Sequence, residues 1–130
     1  MKVLLDTSAY SALKRGHEGV AELVRRSQGI LFSVVVAGEL LYGFRSGSKL
    51  AENLRELKAF FANPYVAVVD VTLDTADRFS RIASSLRRRG TPIPTNDIWI
   101  AAHAMETGAD LVSFDRHFAQ VEGVAWVEPA

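Results

Sequence analysis

The segment Pro94 to Phe118, PTNDIWIAAHAMETGADLVSFDRHF, constrains the fold more than any other stretch, because it joins an apolar helix to an apolar strand through one glycine. Pro94 stops whatever precedes it, and Thr95 or Asn96 can cap a helix in which Ile98, Ala101, Ala102 and Met105 recur at helical spacing. Gly108 ends that helix, and Ala109 to Phe114 reads as a short buried strand with Asp115 at its C-terminal end. A helix followed at once by a buried strand is the signature of an α/β sheet, and such sheets bind ligands outside the carboxyl ends of their strands. Asp97, in the first helical turn, is placed where the helix dipole favours an anion. Taken singly, Asp97 reads equally as a capping acid and Asp115 as a turn residue.

The rest of the chain repeats the pattern. Val3 to Leu5 is a short apolar strand running into Asp6-Thr7-Ser8, a strand end that becomes a helix cap, and an opening strand of this kind predicts a central place in a parallel sheet. Helices are predicted over Ser8 to Arg15 and Glu18 to Ser27. A strand follows at Ile30 to Ser33, then a helix at Val34 to Phe44 with Val36, Leu40, Leu41 and Phe44 inward. Glu39 is the only charge in that helix and lies at the edge of its apolar stripe, a position that suits a solvated glutamate as well as a ligand. An amphipathic helix over Lys49 to Phe61 carries Leu50, Leu54, Leu57 and Phe61. Val66 to Val69 is a strand closed by Asp70, and Thr72 to Arg89 is a long helix with Leu73, Ala76, Phe79, Ala83 and Leu86 inward. Its end carries Arg87, Arg88 and Arg89, which complement the helix dipole and equally suit a phosphate backbone. Val124 to Val127 reads as an edge strand. Alternation over residues 1–130 predicts a single α/β domain, a three-layer α/β/α sandwich around a mostly parallel sheet.

Composition excludes several classes. At 48% hydrophobic residues the chain has enough apolar surface for a packed core, and its lack of cysteine removes disulfides, thiolate metal sites and cysteine nucleophiles. No apolar run approaches the ~20 residues of a membrane span, so a soluble, cytoplasmic protein is expected. Fifteen basic and fifteen acidic residues cancel. Nucleic-acid binding therefore has to be local rather than driven by a global basic field.

Asp6, Asp97 and Asp115 fall at one edge of the predicted sheet, and Glu39 lies on the helix leaving that edge. Two carboxylates ~5 Å apart at an effective dielectric of ~20 repel by about 3 kcal/mol, so a group of four takes up protons or binds cations. Oxygen donors suit hard octahedral ions, Mg²⁺ or Mn²⁺. His17 and His117 lie in or near loops, and His103 is about 240° around the helix from Asp97. The histidines are therefore read outside the site, His103 as a packing or surface residue. Divalent ions among carboxylates support phosphodiester hydrolysis.

Four elements together resemble a PIN-domain ribonuclease, and more narrowly the VapC toxins of toxin–antitoxin pairs: the early strand with Asp6-Thr7-Ser8, Glu39 within AGELLYG, Asn96-Asp97-Ile98-Trp99-Ile100-Ala101-Ala102, and Leu111 to Phe118 (LVSFDRHF). The resemblance spans nearly the whole chain in the same order. It implies that Asp6, Glu39, Asp97 and Asp115 form an acidic pocket, with Asp6 and Asp97 the most direct Mg²⁺ ligands. Thr7 or Ser8, and Ser113, match hydroxyl positions that support the acids. It further implies metal-dependent cleavage of RNA, tRNA or ribosomal RNA among the targets, a cognate antitoxin partner and a homodimer. Arg45, Arg87, Arg88, Arg89 and Arg116 are candidates for RNA backbone contacts.

Other readings of strand-end acids fit less well. A phosphotransferase of the haloacid-dehalogenase type needs an aspartate at position 8, which is serine, and a receiver needs a late lysine, whereas none follows Lys58. A PIN-type nuclease acting in RNA processing or on DNA, and a non-catalytic interaction module of the same fold, remain the alternatives.

Overall fold

The computed structural model describes residues 1–130. Five strands, β1 (Val3–Leu5), β2 (Ile30–Ser33), β3 (Val66–Val69), β4 (Asp110–Val112) and β5 (Trp126–Val127), form one sheet in the order β3-β2-β1-β4-β5. Every neighbouring pair is parallel. The opening strand is central, as its uninterrupted apolar run predicts. Val3, Leu4 and Leu5, Ile30, Leu31 and Phe32, and Leu111 and Val112 are buried consecutively rather than alternately, so both faces of the sheet are covered. The covering is supplied by α1 (Thr7–Lys14), α2 (Glu18–Arg26), α3 (Val34–Ser46), α4 (Leu50–Ala62), α5 (Leu73–Arg89) and α6 (Thr95–Thr107), which complete an α/β/α sandwich. No helix is long and apolar enough to cross a membrane.

The chain leaves β1 toward β2 and β3 on one side and returns to β4 and β5 on the other, so the sheet's switch point lies between β1 and β4. In open parallel sheets the crevice at this point, outside the carboxyl ends of the strands, is where ligands bind. Asp6 directly follows β1, and Ser113 directly follows β4.

Several local expectations are corrected. Helix α6 starts at Thr95 with Pro94 in the capping position, and neither Thr95 nor Asn96 caps it through a side chain. Proline's fixed φ and missing N–H make it compatible with a helix start, which leaves Asn96 free for another partner. The strand predicted over Ala109 to Phe114 pairs only from Asp110 to Val112, and the last strand only over Trp126 and Val127. On α5 the buried residues are Thr75, Ile82 and Leu86, with Phe79 and Ala83 against the core, while Leu73 is 90% exposed. Thr72 and Thr75 form a reciprocal capping box. It buries Thr75, and the helix's inward stripe runs from there at spacings of four, three and four rather than from Leu73.

Candidate active site

Four acids from four elements line one open pocket of about 420 Å³ at the switch point: Asp6, Glu39, Asp97 and Asp115, together with Thr7, Ser8, Ile100 and Phe114. Each acid has a separate local reason to be there.

Asp6 is the N-cap of α1. Its Oδ1 accepts from the Ala9 N–H and from Ser8 Oγ, both at 2.9 Å, and its Oδ2 accepts from Ser113 Oγ. The side chain is almost wholly enclosed, with the residue 6% exposed. Burial pushes its carboxyl above the ordinary range. The three hydrogen bonds pull the other way without cancelling that effect, and Asp115 adds repulsion.

Glu39 projects from α3, which starts directly after β2 with Ser33 as its cap. Thr7 Oγ1 donates to Glu39 Oε1 at 2.5 Å, and Asn96 Nδ2 donates to Oε2 at 3.1 Å. The two oxygens are thus held by residues from the first turns of α1 and α6. Asn96 was legible in the sequence only as a cap; its freedom from capping is what lets it reach Glu39.

Asp97 lies in the first turn of α6 and has a carboxyl raised to about 6, by burial first and then by the charges of Asp115 and Glu39, with His117 opposing. Asp115 does not end a strand but caps a 3₁₀ turn, Arg116–Gln120. Its own N–H donates to Ser113 Oγ at 2.9 Å, so one buried serine hydroxyl joins Asp6 to Asp115.

His117 departs from the sequence reading, whereas His103 has the packing role expected of it. The 3₁₀ turn folds His117 back on its cap: its N–H donates to Asp115 Oδ1 at 2.9 Å, and its Nδ1 lies 2.9 Å from the same oxygen and 3.5 Å from Asp97 Oδ2. Ligand atoms of Asp97, Asp115 and His117 all fall within 4.8 Å of one another. The sequence separation of two gives no hint of this, because only the turn geometry brings the ring over the acid. His103 is fully buried and bonded through both ring nitrogens, to Ser33 Oγ at 2.8 Å and to the Asp70 carbonyl at 3.0 Å.

The five candidate arginines lie outside the pocket lining. Arg45 is in the last turn of α3, and Arg87, Arg88 and Arg89 are in the last turn of α5. Arg88 donates to Ser84 Oγ and Arg89 to the Gln120 carbonyl, while Arg116 is 3.5 Å from Glu128.

The donor set fits a divalent cation: carboxylates crowd together, no lysine or arginine lines the pocket to neutralise them, and oxygen donors dominate. Asp97 offers the freest oxygens, because those of Asp6 and Glu39 and Oδ1 of Asp115 already accept hydrogen bonds.

A family model described as PIN domain matches residues 3–124. The tRNA(fMet)-specific endonuclease VapC of Shigella flexneri is 29% identical over 127 residues, covering 95% of this chain and 95% of its own length. Among solved structures, a chain of VapBC2 from Rickettsia felis, bound to a DNA fragment from its promoter, superposes with a TM-score of 0.87 at 23% identity and full coverage of both chains. A chain of VapBC-5 from Mycobacterium tuberculosis, a member of the VapBC family of toxin–antitoxin systems, gives a TM-score of 0.70 at 22% identity, covering 98% of this chain and 97% of its own. With its strand order, its four converging acids and a family match running from β1 past the last acid, this chain belongs to the PIN-domain family, and within it is similar over nearly its whole length to VapC ribonucleases.

Proposed function

We propose that this protein is a divalent-metal-dependent endoribonuclease and the toxin of a toxin–antitoxin pair, with Mg²⁺ or Mn²⁺ as its ion and a structured RNA such as tRNA or ribosomal RNA as its substrate. The observation that carries the reading is the convergence of Asp6, Glu39, Asp97 and Asp115 on one open pocket at the switch point of the sheet. The Shigella relative's name supports a tRNA substrate, and the Mycobacterium complex supports a protein partner that restrains the enzyme. A homodimer belongs to the same proposal.

Asp97 and Asp115 would hold the ion, with Asp6 completing the set through its one uncommitted lone-pair direction. When bound, the ion supplies Lewis-acid polarisation of the phosphodiester and a water reactive at neutral pH. The chain's own residues supply order. Ser113, Ser8 and the Ala9 N–H fix the Asp6 carboxylate, while Thr7 and Asn96 fix that of Glu39. Because both Glu39 oxygens are restrained, it can accept a proton at a fixed place rather than sweep the pocket. The opening leaves the site accessible to a phosphodiester in an RNA loop, and Arg45 and the Arg87 to Arg89 run are the proposed contacts to more distant phosphates.

The test is cleavage of total cellular RNA by purified, antitoxin-free protein with Mg²⁺, with Mn²⁺ and with chelator, beside Asp97→Asn. Discrete fragments that need metal and disappear in the variant are expected. A folded protein that leaves all RNA intact but cuts single-stranded DNA would shift the substrate class, and one that cuts neither would remove the catalytic reading.

A further inference from the structure

His117 comes from neither a strand end nor the helix that carries Asp97, yet its imidazole is inside the acid cluster. Its Nδ1 is 2.9 Å and 3.1 Å from the two oxygens of Asp115 and 3.5 Å from Asp97 Oδ2. The backbone holds it there, since Asp115 Oδ1 also accepts the His117 N–H. Asp97 reaches the same point independently, on the first turn of α6.

We propose that His117 Nδ1 is a ligand of the divalent ion, making the centre a mixed nitrogen–oxygen site that favours a first-row transition dication such as Mn²⁺ over Mg²⁺. This rests on the metal-dependent reading above and adds to it the donor that sets ion preference. Neighbouring ligands of an octahedral ion at about 2.1 Å are themselves about 3 Å apart. The separations of Nδ1 from Asp115 and Asp97 bracket that spacing, and the ligand atoms of all three residues lie within 4.8 Å of one another, so one ion can draw on the three. The ring edge carrying Nδ1 faces two carboxylates, an arrangement that a cation between them stabilises. Imidazole nitrogen is a good ligand for transition dications, whereas Mg²⁺ prefers carboxylate oxygens and retained water. The chain's other imidazoles are committed elsewhere. His103 uses both nitrogens on Ser33 and Asp70, and His17 Nδ1 caps α2.

The experiment is calorimetric titration of metal-free protein with Mn²⁺ and, separately, Mg²⁺, with pulsed electron paramagnetic resonance of the Mn²⁺-loaded samples. Wild type is compared with His117→Gln and His117→Asp. The His117 side chain is 52% exposed, so neither substitution disturbs the core. The expected result is a nitrogen hyperfine coupling in wild type that both variants lose. His117→Gln should weaken Mn²⁺ at least about tenfold and Mg²⁺ by less, so that the preference between them shrinks. His117→Asp should recover affinity without the nitrogen signal. Tight Mn²⁺ binding without nitrogen coupling would overturn the inference and leave the metal-dependent reading intact. Tighter Mn²⁺ binding by His117→Gln would also overturn it, marking the ring as a counter-cation that metal displaces. Failure of every sample to bind either ion would remove both readings.

Discussion

Ser113 donates its hydroxyl hydrogen to Asp6 Oδ2 and accepts the N–H of Asp115, so one fully buried side chain at the end of β4 positions two acids that are 109 residues apart in sequence. A hydroxyl can do both because it is at once a donor and an acceptor.

Ser113→Ala should therefore cost more than the loss of a single surface bond. It leaves the buried Asp6 Oδ2 without its partner, at a penalty of about 1–3 kcal/mol. Unfolding in urea should show that loss. Cleavage should fall as well, because Asp6 and Asp115 lose their common brace. A variant of unchanged stability would mean that water replaces the hydroxyl.

Asp97→Asn should stabilise the metal-free protein in a pH-dependent way. The Asp97 carboxyl is raised from 3.8 to about 6 by burial and by Asp115 and Glu39, so between those values the folded chain holds a proton that the unfolded chain has released. Stability contributed by this group therefore falls as pH rises through that window and stays low above it. At 1.36 kcal/mol for each pK unit the effect is on the order of 2–3 kcal/mol for a side chain that is 15% exposed. The gain of Asp97→Asn over wild type should be near zero at pH 4, grow to pH 6 and then level off, measured with chelator present. A gain that is flat across this range would refute the assignment.

The features legible in the sequence were those that local pattern encodes. Short apolar runs gave the strands, because a parallel sheet covered on both faces needs no alternation, and the central place of β1 followed from its composition. Asp6 and Asp97 were legible because a strand end or a helix start sits beside each. What escaped depends on contacts distant in sequence or on the angle of a turn. The pairing of Asn96 with Glu39 spans 57 residues, and its precondition, that Pro94 takes over the capping position, is invisible to a motif reading. Position 117 lies two residues beyond Asp115, which was expected to end a strand; only when Asp115 caps a 3₁₀ turn does the ring fold back. On α5 the expected stripe holds at Phe79, Ala83 and Leu86 and fails at Leu73, where a capping box buries Thr75 and leaves the leucine outside.

His103 supplies a third prediction. The Asp70 carbonyl can only accept, so Nε2 carries the proton in that bond. Ser33 Oγ already accepts the Val35 N–H, which leaves its hydroxyl hydrogen for Nδ1. The ring therefore ties α6, which carries Asp97, to the cap of α3, which carries Glu39, and to the end of β3. His103→Leu conserves bulk but orphans the Asp70 carbonyl and the Ser33 hydroxyl, with an expected loss of about 1–3 kcal/mol and reduced cleavage. Nitrogen NMR of the wild-type ring should report the Nε2–H tautomer. The opposite tautomer would dissolve the argument.

Metal binding and proton binding should compete in this pocket, which yields the last prediction. An ion that binds only the folded chain raises stability by about 2.7 kcal/mol at a hundredfold excess over its dissociation constant. Asp97 has the freest oxygens of the four acids, and its carboxyl, raised to about 6, competes for a proton with the ion. The rise in melting temperature caused by Mn²⁺ or Mg²⁺ should therefore be full at pH 7.5, shrink through pH 6 and be small at pH 5. In Asp97→Asn, whose amide cannot ionise, the rise should be small at every pH. A metal-induced shift that is equally large at pH 5 and 7.5, or that survives in Asp97→Asn, would place the ion away from this carboxylate and leave Asp6, Glu39 and Asp115 to account for it.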